Sequence, residues 1–337
     1  MPGPAAFRFA GLWLVAAWLA LYAAPGAADA PRPITIEAIP IAAFDNRDAS
    51  RVRFGLLEFR GGLQLRSNDK EFGGLSSLHM TADGVHFLTA SDKARWFRGR
   101  IVYRDGKPVG LADVETAPML GSDGRPLAAR GWYDTEAMTV SNGTVYVAIE
   151  RVDEIVRFDY GKRGLAARAM PIRSPAAIKQ LPFNKSIEAL AMVPPGQPLA
   201  GTLIAISERG LDPAGNIRGF LIGGQRPGAF TVKRSNDFDI SDMTLLPGGD
   251  LLLLERHYSR LRGIAMRIRR VPQSSLRPGA VIDGPVLIEV DLAHQIDNME
   301  GVAAHRNARG ETVLTLVSDD NFSLMQRTIL LQFTLVE

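Results

Sequence analysis

Apolar runs recur along the chain after residue 30, and several of them end alike. "YVAIER" at 146–151, "TLIAISER" at 202–209 and "LLLLER" at 251–256 each close a strand-like run with an acid followed by arginine. The runs are rich in Val, Ile, Leu and Thr and are bounded by Gly, Pro, Asn and Asp, the pattern of short β-strands joined by turns. Helical spacing is scarce.

Regular strand spacing calls for a search for internal repeats. Five segments align: "GLSSLHMTADGVHFLTASDK" from 74, "EAMTVSNGTVYVAIER" from 136, "EALAMVPPGQPLAGTLIAISER" from 188, "DMTLLPGGDLLLLER" from 242 and "EGVAAHRNARGETVLTLVSDD" from 300. Each reads as a strand, a turn and a second strand that ends in an acid. The starts are 62, 52, 54 and 58 residues apart, room for about four strands per unit, as in a propeller blade. The sequence therefore predicts an all-β propeller of five blades, with a divergent sixth blade inside 34–72 as the alternative. A closed ring must also join its ends. The strand-like "RTILLQFTLVE" at 327–337 and "FGLLEFRGGLQLRS" at 54–67 are the segments expected to pair across the closure.

In a propeller the first strand of each blade lines a central channel, and an antiparallel partner ends where that strand begins. The alignment gathers two sets of acids at one mouth. Glu136, Glu188, Asp242 and Glu300 open the first strands, with Gly74 breaking the series, while Asp92, Glu150, Glu208, Glu255 and Asp319 close the second strands. Like charges so placed repel and raise one another's pKa unless cations compensate. Lys93, Arg151, Arg209 and Arg256 follow four of the strand-end acids, and a hard divalent cation is the other form of compensation. Acid-rich loops at 67–74, 133–136, 236–242 and 296–300 favour Ca2+, with Mg2+ or Mn2+ as substitutes. Asp237, Asp239 and Asp242 resemble a Ca2+ loop in composition but lack EF-hand spacing. No nucleophile elbow, zinc-protease helix, P-loop or dinucleotide glycine motif occurs.

Composition narrows the setting. Residues 1–28 carry one charge, Arg8, then an apolar run and a small-residue site at Gly26-Ala27-Ala28. That is the form of a secretory signal, so a single domain over 29–337 is expected in the periplasm or outside the cell, with an uncleaved anchor as the alternative. With no cysteine there is no disulfide and no thiolate site. The net charge of +3 gives little reason to expect nucleic acid as a partner, and no stable membrane span remains after cleavage of the signal. In "RHYSRLRGIAMRIRR" at 256–270, Ile264, Met266 and Ile268 alternate with Arg267 and Arg269, the period of a strand with one solvated face.

The five motifs, in order from about residue 55 to the C-terminus, resemble the bacterial phytase-like domain proteins described by an "esterase-like activity of phytase". The resemblance implies an exported propeller that hydrolyses a phosphoester or ester, with Asp92, Glu136, Glu150, Glu188, Glu208, Asp242, Glu255, Glu300 and Asp319 as its recurrent acids. On this reading Glu136, Glu150, Asp242, Glu255, Asp319 and Asp92 hold metal, and Glu188, Glu300 or Glu208 supplies the general base. Arg151, Arg209 and Arg256 then clamp a small anionic or ester substrate. Two other functions remain open: a non-catalytic propeller that binds a ligand or protein partner, and a lactonase-like enzyme with one central Ca2+ to which Asn298 or Asn321 contributes.

Overall fold

The computed structural model describes residues 30–260 and 263–336, together with Met1 and Gly3, so the signal-like segment lies outside the described residues. Five sheets, antiparallel but for one edge pair, are arranged as a β-propeller. From the centre outward, blade one runs through His79–Met80, His86–Ser91, Arg95–Arg104 and Lys107–Pro118. Blade two comprises Thr135–Ser141, Thr144–Ile149, Glu154–Phe158 and Met170–Pro171. Blade three comprises Ile187–Met192, Thr202–Leu211, Ile217–Gly223 and Gly228–Val232, with Val281–Ile282 added in parallel at its edge. Blade four comprises Asp239–Leu245, Leu251–Ser259, Gly263–Val271 and Val286–Asp291.

Blade five closes the ring as expected. Its Asn298–Arg306, Thr312–Asp319 and Thr328–Leu335 come from the C-terminal end, and Leu57–Arg66 and Glu37–Ile41 complete it from the N-terminal side. Thr328 to Leu335 pair antiparallel with Leu65 to Leu57. The N-terminal segment then reaches the next blade, where Arg32 and Pro33 pair with Thr116 and Glu115. The turn before Leu57 depends on Gly55, whose φ is +61° and where an added Cβ would stand 2.1 Å from the Leu287 carbonyl oxygen. It brings Phe44 and Phe54 against each other at 4.9 Å, and Phe44 against Phe333 at 5.0 Å.

Five hydrophobic clusters lie one in each interface between neighbouring blades. Each blade is therefore buried on both faces, which is why its strands read as continuous apolar runs rather than alternations. Leu251 to Leu254 are all fully buried, Leu252 and Leu254 facing blade five and Leu251 and Leu253 facing blade three. Each contributes about 1.5–3 kcal/mol of transfer free energy.

The same two-sided burial corrects one expectation. Arg267 and Arg269 are not solvated: both are buried within blade four, although they alternate with the buried Met266 and Ile268. Glu255 stands in register with Arg267 and pairs with both guanidinium groups, and that carboxylate is what makes their burial tolerable.

Deleting residues 326–337 should expose one edge of Thr312–Asp319 and one of Leu57–Arg66, and abolish soluble expression. A soluble truncated protein with an unchanged melting temperature would overturn closure by these strands.

Candidate functional site

The mouth is the end where the first strands begin and the second strands end. Each first strand carries a β-bulge there. Pairing passes from Thr135–Ile149 to Ala137–Ala148, from Ile187–Ser207 to Ala189–Ile206, from Ile240–Glu255 to Asp242–Leu254, and from Met299–Ser318 to Gly301–Val317. In blade one it passes from Leu75–Ser91 to His79–Leu88 with the same one-residue shift. The extra residue is Glu136, Glu188, Ser241 and Glu300 in blades two to five, with Ser76 in the matching place in blade one. A bulge re-aims the side chain of its extra residue. Glu136, Glu188 and Glu300 come close enough to repel: Glu300 raises the pKa of Glu136, and both raise that of Glu188. The two serines bridge blades instead: Ser241 Oγ donates to the Met299 carbonyl at 2.9 Å, and Ser76 Oγ donates to the matching Thr135 carbonyl.

This register corrects the sequence alignment by one or two residues. Ser76, not Gly74, matches Glu136; Ser241, not Asp242, matches Glu188. At the ends of the second strands the matching residues are Asp92, Glu150, Glu208, Arg256 and Asp319, so blade four contributes a guanidinium where Glu255 was expected. Alternation explains the outcome, since a slip of one residue moves a side chain to the opposite face.

Glu255 is wholly buried away from the mouth. It accepts from Arg267 Nε at 2.8 Å, Arg269 Nε at 2.7 Å and Arg269 Nη2 at 2.6 Å. Asp242 is buried too, its two oxygens accepting from the Met243 and Val302 backbone N–H groups, both at 2.8 Å. It staples the inner strands of blades four and five. Arg209 is exposed and turned to Asp239, which also takes Arg234 at 2.8 Å. Asp237 pairs with Arg234, so the Ca2+-like composition of this loop serves arginine pairing.

The pit holds the remaining acids. One carboxylate oxygen from each of Glu150, Glu188 and Glu208 lies within 4.8 Å of the other two. Arg256 reaches Glu300 Oε1 at 2.5 Å, Glu208 Oε1 at 3.3 Å and Asn298 Oδ1 at 2.6 Å. Lys185 donates to Glu208 Oε2 at 2.5 Å, and the Ser186 N–H donates to Glu150 Oε1 at 2.6 Å. Asn298 also donates to Glu300 Oε1 at 2.9 Å, while Asn321 only offers its N–H to Asp319 Oδ1. Lys185 and the pairing role of Arg256 were not legible in the chain; "NKSIEAL" held Lys185 three residues before Glu188, with nothing to mark it.

Two cations among so many acids leave a surplus of buried negative charge. Burial pushes Glu300 up to about 8 despite Arg256, and pushes Glu150 and Asp92 up to about 7, with added repulsion from Glu208 and Asp319 respectively. Asp319 rises to about 6, and burial with neighbouring carboxylates holds Glu136 and Glu188 well above the usual range. Glu300 Oε2 and Asp92 Oδ1 are buried with no hydrogen-bond partner among the described residues. An oxygen trio of this spacing suits a single hard cation with oxygen ligands at 2.3–2.6 Å.

Two outcomes follow. These carboxyls hold protons in the folded state that the unfolded chain releases, so between about pH 5 and 8 stability falls as pH rises. Chelator-treated protein should therefore melt at a higher temperature near pH 6 than near pH 8; a flat or opposite trend would overturn the charge surplus. Glu255→Gln should cost about 3–5 kcal/mol, because two buried guanidinium groups lose their countercharge. Chemical denaturation measures it, and a neutral result would remove Glu255 from its structural role.

A profile of the phytase-like family, described as "esterase-like activity of phytase", matches residues 70–322. None of the curated proteins matches the chain. Among solved structures, an α-L-arabinofuranosidase from Podospora anserina is similar at 11% identity and a TM-score of 0.48, covering 83% of this chain and 97% of its own. A PQQ-bound aldose sugar dehydrogenase from Streptomyces coelicolor is similar at 13% identity and a TM-score of 0.39, covering 81% and 97%. An α-L-arabinanase from Cellvibrio cellulosa is similar at 10% identity and 0.39, covering 77% and 91%. Since the family profile spans most of the chain and reaches every blade, the protein belongs to the phytase-like family.

Proposed function

We propose that the mouth hydrolyses an ester bond, a phosphoester foremost, in a small anionic substrate with the help of a divalent cation such as Ca2+. The observation that carries this reading is the oxygen trio of Glu150, Glu188 and Glu208 beside a buried Glu300 Oε2 that has no donor. Glu150, Glu188 and Glu208 would hold the cation, which when bound supplies countercharge and Lewis acidity. Family membership supports ester hydrolysis as the class of reaction.

Glu300 is the general base. Its Oε1 is fixed by Arg256 and Asn298, leaving Oε2 to take a proton from the attacking water. Arg256, held between Glu208 and Glu300, offers positive charge where the substrate oxygens become more negative. Lys185 keeps Glu208 oriented through its other oxygen. Asp319 and Asn298 support Glu300 and Arg256 from blade five.

Glu300→Gln should lower kcat by about 10²-fold or more in a screen of phosphomonoesters, phosphodiesters and carboxylesters. Glu188→Gln should also lower activity, but with partial recovery at high Ca2+. Calcium at about 100 times its Kd should stabilise the fold by roughly 2.7 kcal/mol, read as a rise in melting temperature that a chelator reverses. Purified protein with no turnover on any of these esters in Ca2+, Mg2+ or Mn2+ would leave a binding module with an acidic pit.

A further inference from the structure

Most cations around the mouth are consumed by acids. Arg209 is taken by Asp239, Lys185 by Glu208, Arg256 by Glu300 and Glu208, and Arg327 by Asp297. Lys93 and Arg151 differ. Both are exposed, and each acts on a nearby carboxylate, Lys93 on Asp92 and Arg151 on Asp134, without coming within ion-pair distance of an acid among the described residues. Each is held on aromatic rings instead. Lys93 Nζ sits 3.1 Å from the centre of the Phe322 ring, and the Arg151 guanidinium lies 5.4 Å from the rings of both Tyr133 and Phe183.

These two cations stand on neighbouring blades and follow Asp92 and Glu150 directly. A backbone chain couples them: the Asp134 N–H donates to the Asp92 carbonyl at 2.5 Å, and the Glu150 N–H donates to the Asp134 carbonyl at 2.8 Å. The rings are built into place. Phe322 has φ of +49°, a costly value for a bulky residue, and its ring edge lies where a Cβ on Gly74 would stand, 2.5 Å away. Gly73 and Gly74 thus make room for the ring that carries Lys93. Phe183 is 77% exposed, an apolar surface that the Arg151 guanidinium covers only in part.

We propose that Lys93 and Arg151 form a subsite for the oxyanion head of a ligand whose flat apolar body lies on Phe183 and Tyr133. The assignment rests on the mouth being the substrate site and names the substrate class as a small acid or phosphoester with an aromatic or similarly flat body. A guanidinium stacked on aromatic rings keeps its N–H edges open to an anion, and the cation–π contact fixes its position while Asp134 stays beyond ion-pair distance.

Phenyl phosphate is the probe, with phenol and inorganic phosphate as its two halves and calorimetry as the readout. Wild-type protein should bind phenyl phosphate with Kd of ~1 mM or tighter. Lys93→Gln and Arg151→Gln should each weaken binding by about ten-fold, the loss of a charge-assisted contact. Phe183→Ala should weaken phenyl phosphate but leave inorganic phosphate unchanged. Arg209→Gln, at the same rim but already paired, should bind like wild type. The proposal is overturned if wild type does not bind, if Lys93→Gln and Arg151→Gln bind as wild type does, or if Arg209→Gln loses as much as they do. Binding is separable from turnover: retained binding with no ester hydrolysis sinks the hydrolase reading alone, whereas hydrolysis with unaffected Lys93 and Arg151 variants sinks the subsite alone. Lys93, Arg151 and Phe183 are exposed, so their variants should keep the wild-type melting temperature, and Arg209→Gln, which leaves Asp239 to Arg234, is compared well below its own melting temperature.

Discussion

Arg256 is the contact on which the centre of the propeller depends. It belongs to blade four, takes Glu208 from blade three, and takes Glu300 and Asn298 from blade five. Without it three blades would bring carboxylates into one buried space with only Lys185 to answer them. Repulsion between desolvated charges is not screened there as it is at a surface, so one guanidinium carries much of the compensation. What it leaves uncompensated shifts the protonation of the pit. Carboxyls pushed up to between about 6 and 8 can take or release a proton near neutral pH, or give way to a bound cation.

The pit exists because a bulge occurs at the same place in every inner strand. An ideal ladder would send each of these side chains into an interface between blades. The extra residue turns it toward the channel, and three of the five positions hold glutamate. In blades one and four the position holds serine, which uses its hydroxyl to tie its blade to the next. The acids are thus concentrated on blades two, three and five, and the ring is chemically lopsided although its backbone is nearly five-fold. Lys93 and Arg151, packed on aromatic rings, stand on blades one and two, apart from Arg256 on blade four.

Such a centre is costly in stability, and the rest of the fold offsets it. Apolar clusters fill all five interfaces, and the N-terminal strands complete blade five and extend onto blade one. Buried charge outside the pit can be matched closely, as Glu255 with Arg267 and Arg269 illustrates.

Much of this was present in the chain itself. The apolar runs ending in acids marked the strands, their spacing marked five blades, and "RTILLQFTLVE" with "FGLLEFRGGLQLRS" marked the closure, because burial on both faces and hairpin turns leave local traces in residue order. Glu136, Glu150, Glu188, Glu208, Glu300, Asp92 and Asp319 were legible as a converging set for the same reason. Glu255 and Asp242 were placed with them wrongly, and Arg267 and Arg269 were given to solvent, because those assignments turn on a register of one residue. A bulge adds a residue without changing composition, and in a two-sided buried sheet the alternation of polar and apolar residues no longer reports which face is wet. Only the pairing of Ile240 with Glu255, and of Glu255 with Arg267, decided that Arg256 faces the pit and Glu255 the interior.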